Sequence, residues 1–511
     1  MTAFCAIIVK NVTTQTQTQK RYNPTMTKKE AEAIYDLGKE AVVEILLKMD
    51  ARITALEIRL GLNSNNSSKP PSTNSPFTPN TKKDSTANNP KRKSGGQKGH
   101  EGNNLKMVEH PDKIIISSIE VCSNCGVSLE GATSHLNASR QVFDIPALKM
   151  EVTEYQVHTK RCPCCKTINK GSFSEDITAP VQYGKRFDSV IAYLSVHQAL
   201  PYERITQALS DLFGHPISEG VILNALSRAE SRLKEFNAAT KEALLASPVL
   251  HADETGINVR GELKWAHIAI SSNAVTTSLH PKRGVDAIKA MDILPNYTGV
   301  VVHDHWKPYE SIGGVFAHAF CNAHHLRELR RVSEQDHQLW SEDMSRLLIS
   351  AHKKVVSAKA KGKEALSLRV INHFSAWYDT IVKSAGVYHV VTQEESQKRQ
   401  IEGKKRGRIK QTFAKNLLDR LIKYKDETLR FITDFAVPFT NNEAERGLRM
   451  MKVKEKISGC FMSLKGGRIF MNIYAYILSI KKNGVNVMQG LLDAMNGRAF
   501  LPVVRGVFGG R

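Results

Sequence analysis

Two short β-branched segments that each lead into acidic residues constrain the fold of this chain more than any other feature. Residues 249–256 read Val-Leu-His-Ala-Asp-Glu-Thr-Gly and place Asp253 and Glu254 at the end of an apolar run; residues 299–306 place Asp304 in the same way. Short apolar runs bounded by turn residues are typical of buried strands. One acid at a strand end is more often a turn residue or a helix cap, but these two together with a third acid later in this basic chain favour a metal site.

A third acidic segment lies much later in the chain. Residues 440–446 read Thr-Asn-Asn-Glu-Ala-Glu-Arg and predict a helix start, because Asn or Thr suits the cap and acids suit the first turns. Two aspartates and a helix glutamate can converge on Mg²⁺ or Mn²⁺, which prefer oxygen ligands. Two such ions about 4 Å apart can promote in-line displacement at phosphorus. The residues alone leave the choice between Glu443 and Glu445 open, and Glu254 is a further nearby carboxylate.

The segments around the first two acids predict a mixed α/β sheet. Strands are expected at 249–256, 263–270, 276–280, 299–304 and 315–322, with a turn at 271–274 and a short helix at 284–291. Residues 326–435 carry apolar side chains at helical spacing and are too long for a loop, so they predict a helical insertion between the second and third acids.

Charge and length bound the class of protein. The 511 residues suffice for two to four domains. Lys and Arg number 72 against 50 acids, a net charge of +22, which favours an anionic partner, nucleic acid first and anionic membrane second. No apolar run approaches the roughly 18 residues of a membrane span, and residues 4–9 are too short for a secretory signal. We therefore expect a cytoplasmic protein, with Met26 as an alternative start.

Five of the eight cysteines cluster in two groups, Cys122-Ser-Asn-Cys125 and Cys162-Pro-Cys164-Cys165. Such a cluster in a reducing compartment favours metal over disulfide. The pairs Cys122/Cys125 and Cys162/Cys165 predict two knuckles that share one structural Zn²⁺, with Cys164 as an alternative ligand. Between them, residues 142–146 and 152–158 alternate as strands.

Three further segments favour DNA binding. Residues 28–62 predict a helix that either packs within the chain or pairs as a coiled coil, and residues 63–105 predict a basic flexible linker. Residues 185–235 predict helices with a break at Gly214 and a new start at Ser218, either a helix-turn-helix or a plain helical hairpin. The basic residues expected to contact phosphate, with a solvated surface as the alternative, are Lys91, Arg92, Lys93, Lys404, Lys405, Arg406, Arg408, Arg446, Arg449, Lys452, Lys454 and Lys456.

Several motifs in this order resemble transposases of the insertion-sequence 66 family, over roughly residues 30–480. They are the segments 60–72 (Leu-Gly-Leu-Asn-Ser-Asn-Asn-Ser-Ser-Lys-Pro-Pro-Ser), 95–100 (Gly-Gly-Gln-Lys-Gly-His), 200–204 (Leu-Pro-Tyr-Glu-Arg), 251–255 (His-Ala-Asp-Glu-Thr) and 441–446 (Asn-Asn-Glu-Ala-Glu-Arg), with the paired cysteines. The chain differs at Asp304-His-Trp306, where relatives often have Asp-Gly-Tyr, and at 321–325, where Cys-Asn-Ala-His-His stands for Cys-Trp-Ala-His. His324 matches a family histidine that either orients a ligand or packs in the core.

The resemblance implies a ribonuclease-H-like catalytic domain whose triad is Asp253, Asp304 and Glu445, since the family motif Asn-Asn-x-Ala-Glu-Arg leaves Glu443 at the variable position. It implies cleavage at the ends of an insertion sequence, strand transfer into target DNA and small companion proteins from the same element. Acting on two ends favours a homo-oligomer. The alternatives are a sequence-specific DNA-binding protein without catalysis and a nuclease of the same fold that cuts without joining.

Together these features predict a multidomain α+β protein: an N-terminal helix, a zinc-binding β unit, a helical domain, and a ribonuclease-H-like mixed α/β core with a large helical insertion. The expected boundaries are a disordered N-terminus at 1–27, the helix at 28–62, the linker at 63–105, the zinc unit at 106–175, the helix-turn-helix-like domain at 176–245, the catalytic core at 246–325 and 437–485, the insertion at 326–436 and a C-terminal tail at 486–511.

Overall fold

A computed structural model describes most of the chain. The described residues are 35–36, 38–39, 42–43, 46–47, 105–401 and 411–504, and only the backbone is described at 387–401. They form two compact units: the first takes its described residues from 1–78, 326–345 and 408–417, and the second takes the rest. Most of the predicted N-terminal helix and all but the last residue of the predicted linker lie outside the described residues.

The described residues of the second unit form seven strands. They are β1 (Thr159–Arg161), β2 (Ile168–Lys170), β3 (Val249–Val259), β4 (Glu262–Ile270), β5 (Val275–His280), β6 (Val300–His303) and β7 (Ala317–Phe320). The last five form one sheet in the order β5-β4-β3-β6-β7. The strands β3, β4 and β5 are antiparallel neighbours, whereas β6 and β7 run parallel to β3. The mixed α/β sheet predicted from the sequence is therefore present.

The helices are α1 (Lys185–Ala192), α2 (Tyr202–Phe213), α3 (Glu219–Ser231), α4 (Lys234–Leu245), α5 (Val285–Ala290), α6 (Pro308–Ser311), α7 (Asn322–Asp336), α8 (Leu339–Ala360), α9 (Leu368–Ile401), α10 (Phe413–Lys423), α11 (Lys425–Thr433), α12 (Asn442–Ser458), α13 (Leu464–Lys482) and α14 (Val487–Met495), with a π-helical turn at Tyr193–His197 and a 3₁₀ turn at Leu294–Asn296. No helix in the described part of the chain is long and apolar enough to cross a membrane.

Each face of the five-stranded sheet packs on its own hydrophobic core, because successive side chains of a strand point to opposite faces. On one face, Ile257 and Ile268 belong to a core shared with helices α12 and α13 and with the helices between residues 185 and 236. On the other face, Leu250 and Val301 pack with Tyr309 and the residues around α5. Functional side chains on β3 are therefore divided between two environments according to their register.

The helix boundary predicted at Gly214 is confirmed. Helix α2 ends there with Gly214 in the left-handed conformation (φ 62°), and its N–H donates to the Ser210 carbonyl at 2.9 Å. Helix α3 then begins at Glu219, directly after Ser218. Buried side chains of α3, among them Ile222 and Leu226, point into the shared core, so one face of this helix is structural.

The strands predicted between the two cysteine pairs are wrong. In the described residues 105–180 the regular structure is the hairpin of β1 and β2 and a single bridge between Val121 and Ser128. The alternating side chains are solvent-exposed, Val142 and Val152 each by 91%. A strand needs a paired neighbour and a face to bury, and residues 105–180 contain no buried residue.

Close packing between α12 and β4 depends on Gly447. A Cβ at this position would lie 2.6 Å from Ile268 Cδ1 and 2.8 Å from Ile270 Cδ1. We expect Gly447→Val to lower the free energy of unfolding by about 1–3 kcal/mol, because overpacking forces the helix from the sheet. Urea unfolding followed by circular dichroism measures the change.

Gly386, in helix α9, provides the matched control for this substitution. A Cβ at Gly386 would have no heavy atom within 4 Å. We expect Gly386→Val to leave stability unchanged or slightly raised, because valine has the higher helix propensity. Equal losses in the two variants would show that valine in a helix, and not the contact with β4, sets the effect.

Candidate active site

Asp253 and Asp304 lie on neighbouring parallel strands. The pairing of β3 with β6 covers only Val249 to His251 on β3 and ends at the pair His251–Val302. Extending that register by two residues places Asp253 opposite Asp304, which follows the last residue of β6. The expectation that Asp253 ends its strand is wrong: β3 continues to Val259 because β4 pairs along its whole length. Asp253 lies instead where the parallel neighbour ends.

Alternation along β3 directs Asp253 toward helix α12. Ile257 and Val259 share the odd-numbered register with Asp253 and contact the core that includes Leu448 of α12. Glu254 has the opposite register and lies on the face of Tyr309, whose hydroxyl donates to Glu254 Oε2 at 2.8 Å. Adjacent acids are thus separated onto two faces of the sheet.

Asn441 fixes the start of α12 beside β3. Its Nδ2 donates to the Ala252 carbonyl at 2.8 Å, and its Oδ1 lies 2.9 Å from His251 Nδ1. Its backbone N–H donates to Cys321 Sγ at 3.1 Å. The predicted helix start is confirmed, but the Asn441 side chain does not cap the helix. It binds the strand that carries Asp253 and so holds Glu445, one turn into α12, in place.

Glu445 faces a cysteine and a histidine. His324 Nδ1 lies 3.8 Å from Glu445 Oε1, and ligand atoms of Cys321, His324 and Glu445 lie within 4.8 Å of one another. Burial raises the pKa of the Cys321 thiol to about 11. The histidine matched by sequence therefore lies at the third acid. Glu443 points elsewhere and pairs with Lys482 at 2.7 Å.

The electrostatics of Asp253 reflect a crowded acidic site. Burial raises the pKa of Asp253 well above its ordinary value, and the nearby carboxylates of Glu254, Asp304 and Glu445 raise it further. The pKa of Glu254 is also raised, by burial and by Asp304, although hydrogen bonds from Arg283 and Tyr309 oppose the shift. Clustered carboxylates of this kind repel one another until a cation binds.

Two backbone N–H groups orient the aspartates. The N–H of Trp306 donates to Asp304 Oδ1 at 3.1 Å, and the N–H of Glu254 donates to Asp253 Oδ1 at 2.9 Å. Each carboxylate thereby has one oxygen held by the backbone. Carboxylate oxygens oriented in this way suit a hard divalent cation.

The basic residues of α12 lie in different environments. Arg446, Arg449 and Lys452 are exposed, and Lys452 also bonds Glu455 at 2.8 Å. The expectation that Lys454 contacts phosphate is wrong: its side chain is buried, its Nζ donates to the Leu200 carbonyl at 3.0 Å, and burial lowers its pKa to about 8. The residues Lys91, Arg92, Lys93, Lys404, Lys405, Arg406 and Arg408 lie outside the described residues.

The two cysteine pairs have the same turn geometry. Cys122 N–H donates to the Val127 carbonyl at 2.9 Å and Cys162 N–H to the Thr167 carbonyl at 2.8 Å. The residue four positions after each first cysteine is left-handed, Gly126 with φ 72° and Lys166 with φ 59°. Both turns thus direct a Cys-x-x-Cys pair to one side, as zinc knuckles do.

Hydrogen bonds in these turns favour thiolates. The backbone N–H of Asn124 is the main cause that lowers the pKa of Cys122. Thr167, whose Oγ1 lies 3.2 Å from Cys165 Sγ, is the main cause that lowers the pKa of Cys165 to about 7, and Cys162 contributes. The structure brings each pair together, but among the described residues no three of these sulfurs lie within 4.8 Å of one another.

Sequence reasoning missed Arg283, which binds Glu254 and lies between two tryptophans. Its position in the loop after β5 gave no sign of this contact. The sequence held only an indirect signal for an arginine site. Trp265 and Trp306 are two of the four tryptophans in the chain, and Trp306 ends the segment that contains Asp304.

The mixed sheet, the acids on its strands and the glutamate on the crossing helix define a candidate metal-dependent enzyme. Comparison with protein families identifies the family of the chain. Residues 180–469 match the family described as "Transposase IS66 family". Because this match spans more than half of the chain, the protein belongs to the IS66 family of transposases.

Two further family matches cover the N-terminal part. Residues 120–166 match the "zinc-finger binding domain of transposase IS66", which includes all four predicted zinc ligands, so this region is a zinc-binding domain. Residues 23–106 match a family of unknown function, DUF6444. No curated protein matches the chain.

Among solved structures, one match is titled "CryoEM structure of simian T-cell lymphotropic virus intasome in complex with PP2A regulatory subunit B56 gamma". The sequences are 11% identical, and the match covers 37% of this chain and 66% of that chain, just under two thirds, with a TM-score of 0.15. A TM-score this low carries no argument about the present chain.

Proposed function

We propose that Asp253, Asp304 and Glu445 hold two Mg²⁺ or Mn²⁺ ions and that the enzyme cleaves DNA at the ends of its insertion sequence and joins them to target DNA. The observation that carries the proposal is the electrostatic state of Asp253, whose pKa is raised by burial and by the other carboxylates. Half-buried carboxylates this close together repel one another, and a bound cation would offset that repulsion.

The chemistry of the donor set fits hard divalent cations. The three residues offer carboxylate oxygens, two of which are already oriented by backbone N–H groups. Bound ions of this kind activate a water and stabilise the leaving 3′-oxygen. In cleavage, the water oxygen bonds to phosphorus, the bond from phosphorus to the 3′-oxygen breaks, and that oxygen gains a proton. In strand transfer the freed 3′-hydroxyl oxygen bonds to a target phosphorus and loses its proton, the bond from that phosphorus to the target 3′-oxygen breaks, and the leaving oxygen gains a proton.

The order of elements supports a ribonuclease-H-like core. Three antiparallel strands, β3 to β5, precede a short helix and the parallel strand β6. Asp253 is on the first strand and Asp304 follows the fourth, while helix α12 supplies Glu445. This is the arrangement that the family resemblance implies for the triad.

The remaining parts of the chain bind and organise DNA in this proposal. Cys122, Cys125, Cys162 and Cys165 hold one structural Zn²⁺, and helices α2 and α3 act as a helix-turn-helix. The exposed residues Arg446, Arg449 and Lys452 contact phosphates near the acids. The basic residues at 91–93 and 404–408 add contacts that carry no sequence information.

The proposed setting is a complex of at least two copies on paired element ends, at the nucleoid in the cytoplasm. Small companion proteins encoded by the same element complete it. These statements rest on the family resemblance and on the need to act on two ends.

Strand cleavage on labelled duplexes that carry the ends of the flanking element tests the proposal. We expect nicking at the element boundary with Mg²⁺ or Mn²⁺ and none with EDTA, followed by joining when target DNA is added. Cleavage without joining would favour a nuclease. Specific binding without cleavage in either metal would favour a DNA-binding protein without catalysis.

A further inference from the structure

Arg283 is held between two aromatic rings on the face of the sheet that carries Glu254. Its guanidinium carbon lies 4.7 Å from the ring centroid of Trp265 and 4.1 Å from that of Trp306. Trp265 is on β4, and Trp306 follows β6, so two different parts of the sheet supply the rings. Stacking on both sides fixes the plane of the guanidinium.

A buried carboxylate fixes one edge of the same group. Arg283 Nη2 donates to Glu254 Oε1 at 2.6 Å, and Nε donates to the same oxygen at 3.2 Å. The other oxygen of Glu254 accepts from the Tyr309 hydroxyl at 2.8 Å. Both oxygens of Glu254 therefore accept hydrogen bonds from side chains, and the carboxylate holds Arg283 in a fixed position.

The other edge of Arg283 remains open. Among the described residues, Nη1 makes no hydrogen bond, and 38% of the side chain is exposed, against 1% for its partner Glu254. The solvent-facing edge leaves Arg283 with two N–H donors that can bind a second anionic group besides Glu254. A guanidinium is always charged and matches the geometry of phosphate oxygens.

Two of the residues that hold Arg283 also form hydrogen bonds with the strand aspartates. Trp306, one of its two rings, donates its backbone N–H to Asp304 at 3.1 Å. Glu254, its anchor, is the residue after Asp253 and donates its own N–H to Asp253 at 2.9 Å. Asp253 and Glu254 lie on opposite faces of β3. The segment from Asp304 to Trp306, which follows the end of β6, links the two faces through its bond at Asp304 and its stacking on Arg283. The same segments therefore hold Arg283 and the two aspartates.

We propose that Arg283 is a phosphate-binding residue of the active site, whose open edge contacts a backbone phosphate of the DNA strand next to the scissile bond. The inference rests on the proposed function and assigns a substrate contact to a residue outside the triad. Glu254, Trp265 and Trp306 act as positioning residues that fix the guanidinium before DNA binds. Such preorganisation lowers the cost of aligning the substrate.

Removal of the guanidinium should slow cleavage without removing the metal site. We expect Arg283→Gln to reduce the single-turnover rate at saturating DNA by about 100-fold, as loss of one preorganised donor does elsewhere. Arg283→Lys should recover only part of the rate, because lysine keeps the charge but loses the planar fork and the stacking.

A double substitution separates phosphate binding from neutralisation of Glu254. Glu254→Gln with Arg283→Gln removes both charges and retains hydrogen-bonding side chains. We expect the double variant to regain thermal stability relative to Arg283→Gln but to cleave as slowly. A double variant that cleaves at the wild-type rate would overturn the proposal, because the role of Arg283 would then be structural.

Neutral methylphosphonate linkages locate the contact. Placed singly on either side of the scissile bond, one of them should slow the wild-type enzyme and leave the rate of Arg283→Gln unchanged, since the contact is already lost. Equal slowing of both proteins at every position would overturn the proposal.

The control is Arg331, in α7, whose guanidinium carbon lies 3.9 Å from the ring centroid of Phe413 and whose Nε donates to Gln335 Oε1 at 3.0 Å. Arg331→Gln removes a stacked, half-buried guanidinium outside the set of proposed DNA contacts, and it should leave the single-turnover rate unchanged. The wild-type enzyme is assayed first. If it shows no metal-dependent cleavage, the proposed function is wrong, and the inference about Arg283 is wrong with it. Cleavage that Asp304→Asn abolishes and Arg283→Gln leaves intact would overturn the inference alone.

Discussion

Asp304→Asn is expected to abolish metal-dependent DNA cleavage while the protein stays folded and binds DNA. Asparagine retains the Oδ1 acceptor that Trp306 N–H contacts at 3.1 Å, so the segment after β6 keeps its conformation. It removes one negative charge from the metal site. We expect the single-turnover rate to fall by at least about 10³-fold, equivalent to about 4 kcal/mol of transition-state stabilisation.

The same substitution should not destabilise the metal-free protein. Asp304 is one of the carboxylates that raise the pKa of Asp253, so its negative charge repels the neighbouring aspartate. Removing that charge relieves repulsion, and the thermal midpoint without divalent metal should stay constant or rise. In the wild type, added Mg²⁺ should raise the midpoint, because a ligand that binds only the folded state stabilises it. The variant should lose that rise. A variant that still cut DNA would remove Asp304 from the triad.

Glu443 and Glu445 provide an internal control for the third acid. Glu445 lies beside His324, whereas Glu443 pairs with Lys482. We expect Glu445→Gln to reduce cleavage as strongly as Asp304→Asn and Glu443→Gln to stay within a few-fold of the wild type. The exposed residue Asp286, in α5, serves as a charge control for Asp304. The reverse result for the two glutamates would move the third ligand to Glu443.

The strands of the five-stranded sheet were predictable only in part, because only part of their signal is local. A β-branched run bounded by turn residues forms a strand wherever it can pair, as in β5 and β6, whereas β7, Ala317–Phe320, contains no β-branched residue. The length of β3 was not predictable, because it depends on the pairing with β4 beyond Asp253. Local sequence does not determine which strands pair. The position of Asp253 relative to Asp304 depends on that pairing.

Side-chain direction on helices was predictable only in part. Spacing places Arg446, Arg449 and Lys452 on α12, and all three side chains are exposed. Lys454 shares the helix and the charge, yet it is buried against Leu200. Its environment is set by a segment more than two hundred residues away, which no local pattern contains. The same holds for Asn441, which looks like a cap and instead binds β3.

The wrong prediction of strands in the zinc region is more informative. Alternating residues between the cysteine pairs predict strands, but Val142 and Val152 are exposed and no residue between 105 and 180 is buried. A segment without a core cannot offset the conformational entropy of ordering. Its folding energy must come from another source, and a metal held by the two knuckles is the one that the cysteines offer.

Loss of one zinc ligand is therefore expected to have a large and local effect. The wild-type chain should bind one Zn²⁺, measured by elemental analysis after dialysis. Cys165→Ser should abolish tight binding, because a structural site contributes about 10–16 kcal/mol in small zinc domains and depends on every thiolate. Limited proteolysis should then cut within residues 106–175. The helices and sheet should keep their thermal midpoint, since their cores lie at residues 187–495.

Cys164 is the matched control because it is the immediate neighbour of Cys165. Hydrogen bonds with Thr167 and Cys162 lower the pKa of Cys165, and Cys162 with Cys165 has the same spacing and turn as Cys122 with Cys125. Cys164→Ser should therefore retain zinc and protease resistance. Since the pKa of Cys165 is about 7, zinc affinity should weaken as the pH falls below that value and protons compete for the thiolate. If Cys164→Ser released zinc and Cys165→Ser retained it, the second knuckle would use Cys164 and the two turns would not be equivalent.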